Sequence, residues 1–459
     1  MSAVPAAVLA ALPPIERCIE THISWVLLAG DFAFKLKKPV TLPFLDYGDV
    51  GKRRACCHEE LRLNRRFAPD LYLDVVELAG EAAVRMRRFD EEQRLDHVCA
   101  RGDLTGAQLS AFARDIAAFQ RGAAVPPEPT FGAPETIRAD ALENFEELRR
   151  LLPDAPGRLA ALEAWTRAEW TRRAADFARR KRQGRVREGH GDLHLGNLVL
   201  LDGRIVPFDG IEFNPGFRHI DVASEIAFTL LDLLDHERPG LASWLLSEWL
   251  AWSGDFDALT VLRFYLVYRA LVRAKVAALQ EKDTECRGYL AIAERLAVPP
   301  APTLTITCGP SGSGKTHASS RRLAMADFLH TVRIRSDVER KRLFGLAPDA
   351  SSGGAIYAPA ATLRTYARLG ELAELAVAAG WAAIVDAAFL KRAERDAFRA
   401  LAARLGAPFA ILAPTASPEE MARRLAARQC DASEATPAVL AQQLRWMEAP
   451  GPDEPTQPV

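Results

Sequence analysis

The sequence predicts two domains in tandem, an α+β domain with two lobes followed by an α/β domain built on a parallel sheet. Three observations predict this. The chain of 459 residues is longer than one ordinary domain. Residues 298–303, VPPAPT, break the pattern with prolines that stiffen the backbone and remove donors, as a linker does. Beyond them strands alternate with helices, which is the pattern of a parallel sheet covered on both faces. The boundaries follow as a first domain over 1–297, a linker over 298–303, a second domain over 304–448 and a proline-rich tail, 449–459, that reads as disordered.

In the first domain, HISWVLLA and FAFKLK flank the turn Gly30-Asp31 and predict a hairpin over 22–37. A helix is expected over 52–67, then strands at LYLDVVEL and AAVRMRRF. Residues 105–182, rich in Ala, Leu, Glu and Arg, read as helical. A strand-loop-strand stretch follows over 185–213, and apolar helices run to 296. A small sheet with one helix, then a mainly helical part, makes two lobes with a cleft between them. In the second domain strands are expected at 303–308, 331–336, 382–386 and 408–413. Helices are expected at 315–328, 360–379, 391–404, 418–428 and 437–448.

Composition narrows the function. Hydrophobic content of 49% and charged content of 26% suit globular domains. A net charge of −1 provides no overall field to draw in nucleic acid or an anionic membrane, so phosphate binding has to be local. The seven cysteines (18, 56, 57, 99, 286, 308, 430) include no CxxC pair and suggest neither disulfides nor zinc. The start, MSAVPAAVLAALPP, makes a poor signal peptide, and no run reaches the roughly 18 apolar residues of a membrane helix. A cytoplasmic protein is expected.

Gly309-Pro310-Ser311-Gly312-Ser313-Gly314-Lys315-Thr316 fits G-x-x-x-x-G-K-[ST] directly after an apolar strand and at the opening of a helix. Glycines let successive N–H groups turn toward phosphates, and the helix start adds a favourable field. Lys315 is expected on the terminal phosphates, and Thr316 on Mg²⁺. Asp386 ends the run Ala382–Val385, the position of a carboxylate near Mg²⁺. Asp337, after VRIRS, can act as base toward an acceptor hydroxyl or, equally, cap the next helix. Arg424 and Arg428, four apart, suit a lid that brings cations to the moving phosphate, or a solvated helix face. This region, about 303–448, resembles the small P-loop kinases that phosphorylate hydroxyls, such as gluconate, chloramphenicol and polynucleotide kinases, and the zeta-toxin group. That resemblance leaves the acceptor open.

A second constellation precedes it. In His190-Gly191-Asp192-Leu193-His194-Leu195-Gly196-Asn197, the Asp-to-Asn spacing equals that of a kinase catalytic loop, with Asp as proton acceptor and Asn on a metal. Asp209, after the hairpin LVLLDGRIVPF, supplies a further hard oxygen ligand suited to Mg²⁺. Lys35 in AFKLK stands where a kinase lysine grips the α- and β-phosphates, and Glu60 on the next helix can pair with it. Residues 20–296 resemble the aminoglycoside phosphotransferase family, whose loop reads H-G-D-x-H-x-x-N. The resemblance implies Asp192 as catalytic base, Asn197 and Asp209 as Mg²⁺ ligands, His190 as loop scaffold and Asp221 as a stabiliser behind it. The whole chain resembles bacterial fusions of such a domain with a P-loop ATPase domain. Where that family carries a glycine-rich phosphate loop, this chain has Thr21, His22 and Ser24. Gly191 replaces the Arg of H-R-D, and Asp209-Gly-Ile replaces D-F-G, so activation-loop control is not expected. Arg269, Arg273 and Lys275 suit an anionic acceptor or a helix exterior.

The expectation is a bifunctional ATP- and Mg²⁺-dependent phosphotransferase acting on small-molecule hydroxyls. No membrane or nucleic-acid partner is expected, although a polynucleotide-kinase-like acceptor stays open. Two alternatives remain. In one, the first domain is a degenerate regulatory module beside an active P-loop domain. In the other, the P-loop gates an interaction.

Overall fold

The structure is a computed structural model that describes residues 4–42, 45–352, 355–427 and 436–457. Backbone contacts divide these residues into two compact units. The first is made from the described residues of Met1–Leu104, Gly122–Ala141 and Phe177–Asp232, and the second from those of Thr105–Arg121, Leu142–Asp176 and Leu233–Val459.

The first unit holds a five-stranded antiparallel sheet. Its order is Arg17–Glu20, Ser24–Ala29, Phe32–Lys37, Glu81–Arg87 and Tyr72–Leu78. The expected hairpin is there, closed at Gly30 (φ 57°), where a positive φ suits glycine. Strand residues alternate between faces. Leu28, Ala33 and Val84 join Cys57 of the helix Val50–Asn64 in one cluster, while Leu27, Phe34 and Ala83 pack with Val8 and Trp25 on the other side. Asp49 caps that helix by accepting from the N–H groups of Gly51 and Lys52. Further along, Val186–Glu188 pairs antiparallel with His219–Asp221. The hairpin Leu198–Leu201 with Arg204–Pro207 turns at Asp202 and Gly203, both at positive φ.

The stretch read as helical from 105 folds as Gly106–Gly122, Pro134–Leu151 and Pro156–Arg182. In the second unit five parallel strands run in the order Thr331–Arg335, Ala382–Asp386, Leu304–Thr307, Phe409–Leu412 and Thr456–Gln457. The first four match the expected strands within a residue or two. The fifth corrects the reading of 449–459 as a disordered tail. Thr456–Gln457 adds to the sheet edge, and Glu454 pairs with Arg395 at 2.6 Å, both side chains 2% exposed or less. Proline content suggested disorder, but a buried guanidinium needs a counter-ion, and the tail provides it.

The opposite edge, Thr331–Arg335, lies against the helix Pro239–Ser253. Ser247 Oγ accepts from the Arg333 N–H at 3.0 Å, and Glu248 pairs with the Arg333 guanidinium at 2.8 Å. Trp381 Nε1 donates to Leu259 O at 3.0 Å, and the Arg263 guanidinium lies 4.7 Å from the Trp381 ring centre while donating to Gly380 O. Helices before residues 298–303 and the sheet after them therefore pack within one unit. Among the described residues no helix is long and apolar enough to cross a membrane. Among the described residues Cys18, Cys56, Cys57, Cys286 and Cys308 are free thiols, and Cys430 lies outside the described residues.

Candidate functional site

In the first unit the strand Phe32–Lys37 places Lys35 and Lys37 on one face, two residues apart. Helix Val50–Asn64 brings Glu60 under both. Lys35 Nζ lies 2.8 Å from Glu60 Oε1 and also contacts Asp209, while Lys37 Nζ contacts Glu60 Oε2 and Glu212. Tyr47 donates its hydroxyl to the same Glu212 oxygen. Glu60 and Lys37 are fully buried, and Glu212 nearly so. Burial by itself would lower the Lys35 pKa. Asp209 first and Glu60 second outweigh it and raise it above the ordinary lysine value. Lys37 is raised in the same way, chiefly by Glu212 and Glu60 against burial. Burial would raise the Asp209 carboxyl, but the Lys35 charge outweighs it and holds the group below the usual carboxylate value.

The residues of the loop His190–Asn197 lie close together. Asn197 Nδ2 donates to Asp192 Oδ2 and to Asp192 O, each at 3.0 Å. His190 Nε2 bonds Phe208 O at 2.8 Å, and burial holds this imidazole below the usual histidine value. The Phe208 N–H donates to Asn197 O at 2.9 Å, which sets Asn197 beside the residue preceding Asp209. Asp209 adopts φ 63°, and its N–H donates to the Tyr72 hydroxyl at 2.9 Å. Its carboxylate is 42% exposed and open to a ligand.

One expectation needs correction, and Thr21, which stands in place of a glycine-rich loop, has a local role. Asp221 does not back the loop. It forms a buried two-point pair with Arg180, both bonds 2.8 Å, and Glu225 instead accepts the His190 N–H. Thr21 is committed to its own turn, where its Oγ1 accepts from the Ser24 N–H at 2.9 Å and donates to Ser24 O. Lys37, Tyr47, Glu212 and His194 were missed by sequence reasoning. His194 lies 3.3 Å from Asp192 Oδ2 through Nε2, while its Nδ1 accepts from the Gly196 N–H at 3.1 Å. The second histidine of the H-G-D-x-H loop was the available signal.

In the second unit the segment 309–316 bends between the strand Leu304–Thr307 and the helix Lys315–Ala324. Gly309, Gly312 and Gly314 have φ of 143°, 82° and 103°. A Cβ on Gly312 would lie 2.6 Å from Met421 O, so both conformation and space require glycine there. Lys315 Nζ donates to Pro310 O at 2.7 Å, back onto its own loop. Asp386, 6% exposed, accepts from Ser319 Oγ at 3.1 Å, one turn beyond Thr316. Asp337 follows the neighbouring strand at the same sheet end, since Arg335 pairs in register with Asp386. The helix Ser336–Leu343 has Arg335 at its N-cap with no side-chain cap bond, so Asp337 sits inside the first turn and not at the cap.

Arg424, on the helix Pro418–Ala426, reaches Gly312 O at 3.3 Å and pairs with Glu420. Arg428 lies outside the described residues. Sequence reasoning missed Gln443, whose Oε1 accepts the Ser311 N–H at 2.7 Å. Arg269 is buried, and Arg273 donates to the Tyr289 hydroxyl at 3.0 Å.

The donor sets suit Mg²⁺. Asp209 with Asn197, and Thr316 with Asp386, offer hard oxygens. This ion takes one or two protein ligands and completes its octahedron with phosphate and water. Among the described residues no group of three or more His, Cys, Asp or Glu could hold a metal.

Residues 304–450 match the family model of an AAA domain. Over 453 residues the chain is 29% identical to the uncharacterized protein Rv2004c of Mycobacterium tuberculosis, covering 93% of this chain and 90% of the relative. The same figures hold for the uncharacterized protein Mb2027c of Mycobacterium bovis. Among solved structures, the GDP and kanamycin complex of an aminoglycoside 2″-phosphotransferase overlaps with TM-score 0.41 at 12% identity, over 63% of this chain and 97% of that one. A choline/ethanolamine kinase family protein from Mesorhizobium loti overlaps with TM-score 0.39 at 12% identity, over 64% and 94%. On the family match, and on a P-loop set between strand and helix, residues 304–450 form an AAA domain.

Proposed function

We propose that this chain is a bifunctional phosphotransferase, with two sites that each bind Mg·nucleotide and transfer its γ-phosphoryl group to a small-molecule hydroxyl. The observation that carries the reading is Lys35 held between Glu60 and Asp209, in the same unit as an Asp192 gripped by Asn197. Such transfer asks little covalent chemistry of a protein, only alignment and charge neutralisation. At the first site Asp192 takes the acceptor proton as the new oxygen–phosphorus bond forms and the bond to the leaving diphosphate breaks. Lys35 neutralises the α- and β-phosphates. Asn197 and Asp209 would hold Mg²⁺, which neutralises charge on the phosphates. At the second site the amides of 309–316 and Lys315 cradle the polyphosphate, Thr316 and Asp386 would hold the metal, and Asp337 serves the acceptor.

A second reading, in which only the P-loop site turns over, is favoured by Thr21, whose hydroxyl is used by its own turn. Transfer from γ-labelled ATP and GTP into a metabolite extract, with full-length wild type, Asp192→Asn and Lys315→Ala, separates the two. Each variant is expected to lose a different labelled product. Loss of all products with Lys315→Ala, and of none with Asp192→Asn, would leave the P-loop site as the single active one.

A further inference from the structure

Five charged side chains of the first unit form one line, Asp209, Lys35, Glu60, Lys37 and Glu212, which ends on the hydroxyl of Tyr47. A kinase-type site needs only the first three. We propose that Lys37 and Glu212 are positioning residues of the nucleotide site, an inference that rests on the phosphotransfer reading of this unit.

Charge balance gives the first reason. Glu60 is fully buried, and a buried carboxylate left without a counter-ion is costly. In a plain Lys–Glu pair, a lysine that turns toward phosphate strips its glutamate of that partner. Here Lys37 stays on the other Glu60 oxygen, so Lys35 can engage phosphate without exposing Glu60 to that cost. When a metal takes Asp209, the remaining two carboxylates, Glu60 and Glu212, balance the two ammonium groups.

Geometry gives the second. Glu212 lies three residues beyond Asp209 on the loop that carries the metal ligand. Besides the Lys35–Asp209 contact, that loop is tied to the sheet and its helix at three points. Tyr72 accepts the Asp209 N–H at 2.9 Å, Asn64 Oδ1 accepts the Gly210 N–H at 2.8 Å, and Lys37 binds the Glu212 carboxylate. Asn64 in turn donates to Glu60 O at 2.9 Å. The strand with both lysines, the helix with Glu60 and the loop with Asp209 are thereby set in one register.

The test uses the full chain carrying Lys315→Ala, so that only the first site reports. Calorimetry with Mg·ATP and Mg·GTP, thermal unfolding and transfer kinetics are measured for Lys37→Met, Glu212→Gln and the double variant. Lys37→Met leaves the buried Glu60 and Glu212 with one ammonium group fewer and is expected to melt below the double variant. The double variant is expected to recover stability and still bind nucleotide about tenfold more weakly, with KM raised to match. A pair that only stabilises the fold would recover affinity together with stability, and that result overturns the inference. If the double variant melts more than about 10 °C below its parent, Glu212→Gln alone decides, because Lys37 then still balances Glu60. Unchanged affinity in that variant overturns the inference as well. Lys35→Met in the same background tests the underlying reading separately. If nucleotide uptake is absent from the parent, or survives Lys35→Met, the nucleotide reading of this unit falls whatever Lys37 does.

Discussion

Glu188 sits where Arg62, Arg66 and Arg218 converge, one strand residue short of the loop that carries Asp192. Arg66 also donates to the carbonyls of Glu188 and Gly189, so this cluster ties the Glu60 helix to the start of that loop. Burial alone would raise the Glu188 carboxyl. Hydrogen bonds from Arg62 and the charge of Arg66 outweigh it and draw its pKa from 4.5 to about 2. A lowered pKa in the folded chain means that the contribution is complete above about 4.5 and fades as pH falls toward 2. A shift of that size corresponds to a contribution on the order of 3 kcal/mol. Glu188→Gln is expected to lose about that much at pH 7. It should also show a shallower fall in stability than wild type between pH 4.5 and 2. Urea unfolding across that range measures both, and parallel curves for the two proteins would refute it. Nothing local in the sequence flags Glu188 or the Lys37–Glu212 pair, because their partners lie far off along the chain and meet only after folding. The loop residues Asp192 and Asn197 were legible because a five-residue spacing fixes their geometry on one short segment.

Elements whose chemistry is local came through the sequence almost unchanged. The strands at 304–307, 331–335, 382–386 and 409–412 are short apolar runs closed by turn residues, and all four pair in parallel. Arg17–Glu20 was missed because an edge strand with exposed side chains carries no hydrophobic alternation. The last strand was missed for a related reason. Thr456–Gln457 joins the sheet through backbone bonds and through Glu454, which meets Arg395 inside the fold. Arg395 is 1% exposed, and it also donates to the carbonyls of Phe389 and Glu448. Phe389 lies just past Asp386, and the neighbouring Ala388 O accepts the Gly309 N–H at 2.9 Å. Glu454→Ala would leave this guanidinium buried without its carboxylate, at a cost of about 3–5 kcal/mol. Glu454→Gln, which keeps an acceptor, should lose less. Thermal unfolding with and without Mg·ATP checks both parts, since a disturbed segment 386–389 should also reduce the stabilisation by nucleotide. A Glu454→Ala protein that melts like wild type would show that the tail adds nothing to the fold.

At the scale of the whole molecule, the proline-rich segment 298–303 marks a change in composition, yet packing continues across it. Glu248 and Ser247 hold Arg333, Leu259 O accepts from Trp381, and Arg263 donates to Gly380 O, each contact joining a helix before the segment to a sheet strand after it or to the turn that leads into one. Trp381 is fully buried, and burial draws the Arg263 guanidinium down to about 10, as expected of a cation whose surroundings have lost water. Such a surface does not suit solvent. The Arg333 side chain, 2% exposed, would face water on one side if the sheet stood alone, and the edge strand Thr331–Arg335 would offer unpaired backbone groups to other chains. Composition could not reveal this, because covalent connection and spatial packing change at different places along the chain. A full-length protein with a protease site inserted between Pro299 and Ala301 is therefore expected to stay together after cleavage. It should elute from gel filtration at the size of the intact chain and separate only in denaturant. Adding Trp381→Ala and Glu248→Ala removes the ring and the carboxylate from this surface, at a cost of several kcal/mol. The cleaved double variant should then separate in buffer. Separation of the cleaved wild type into two folded pieces would instead show that residues 304–457 form a module of their own.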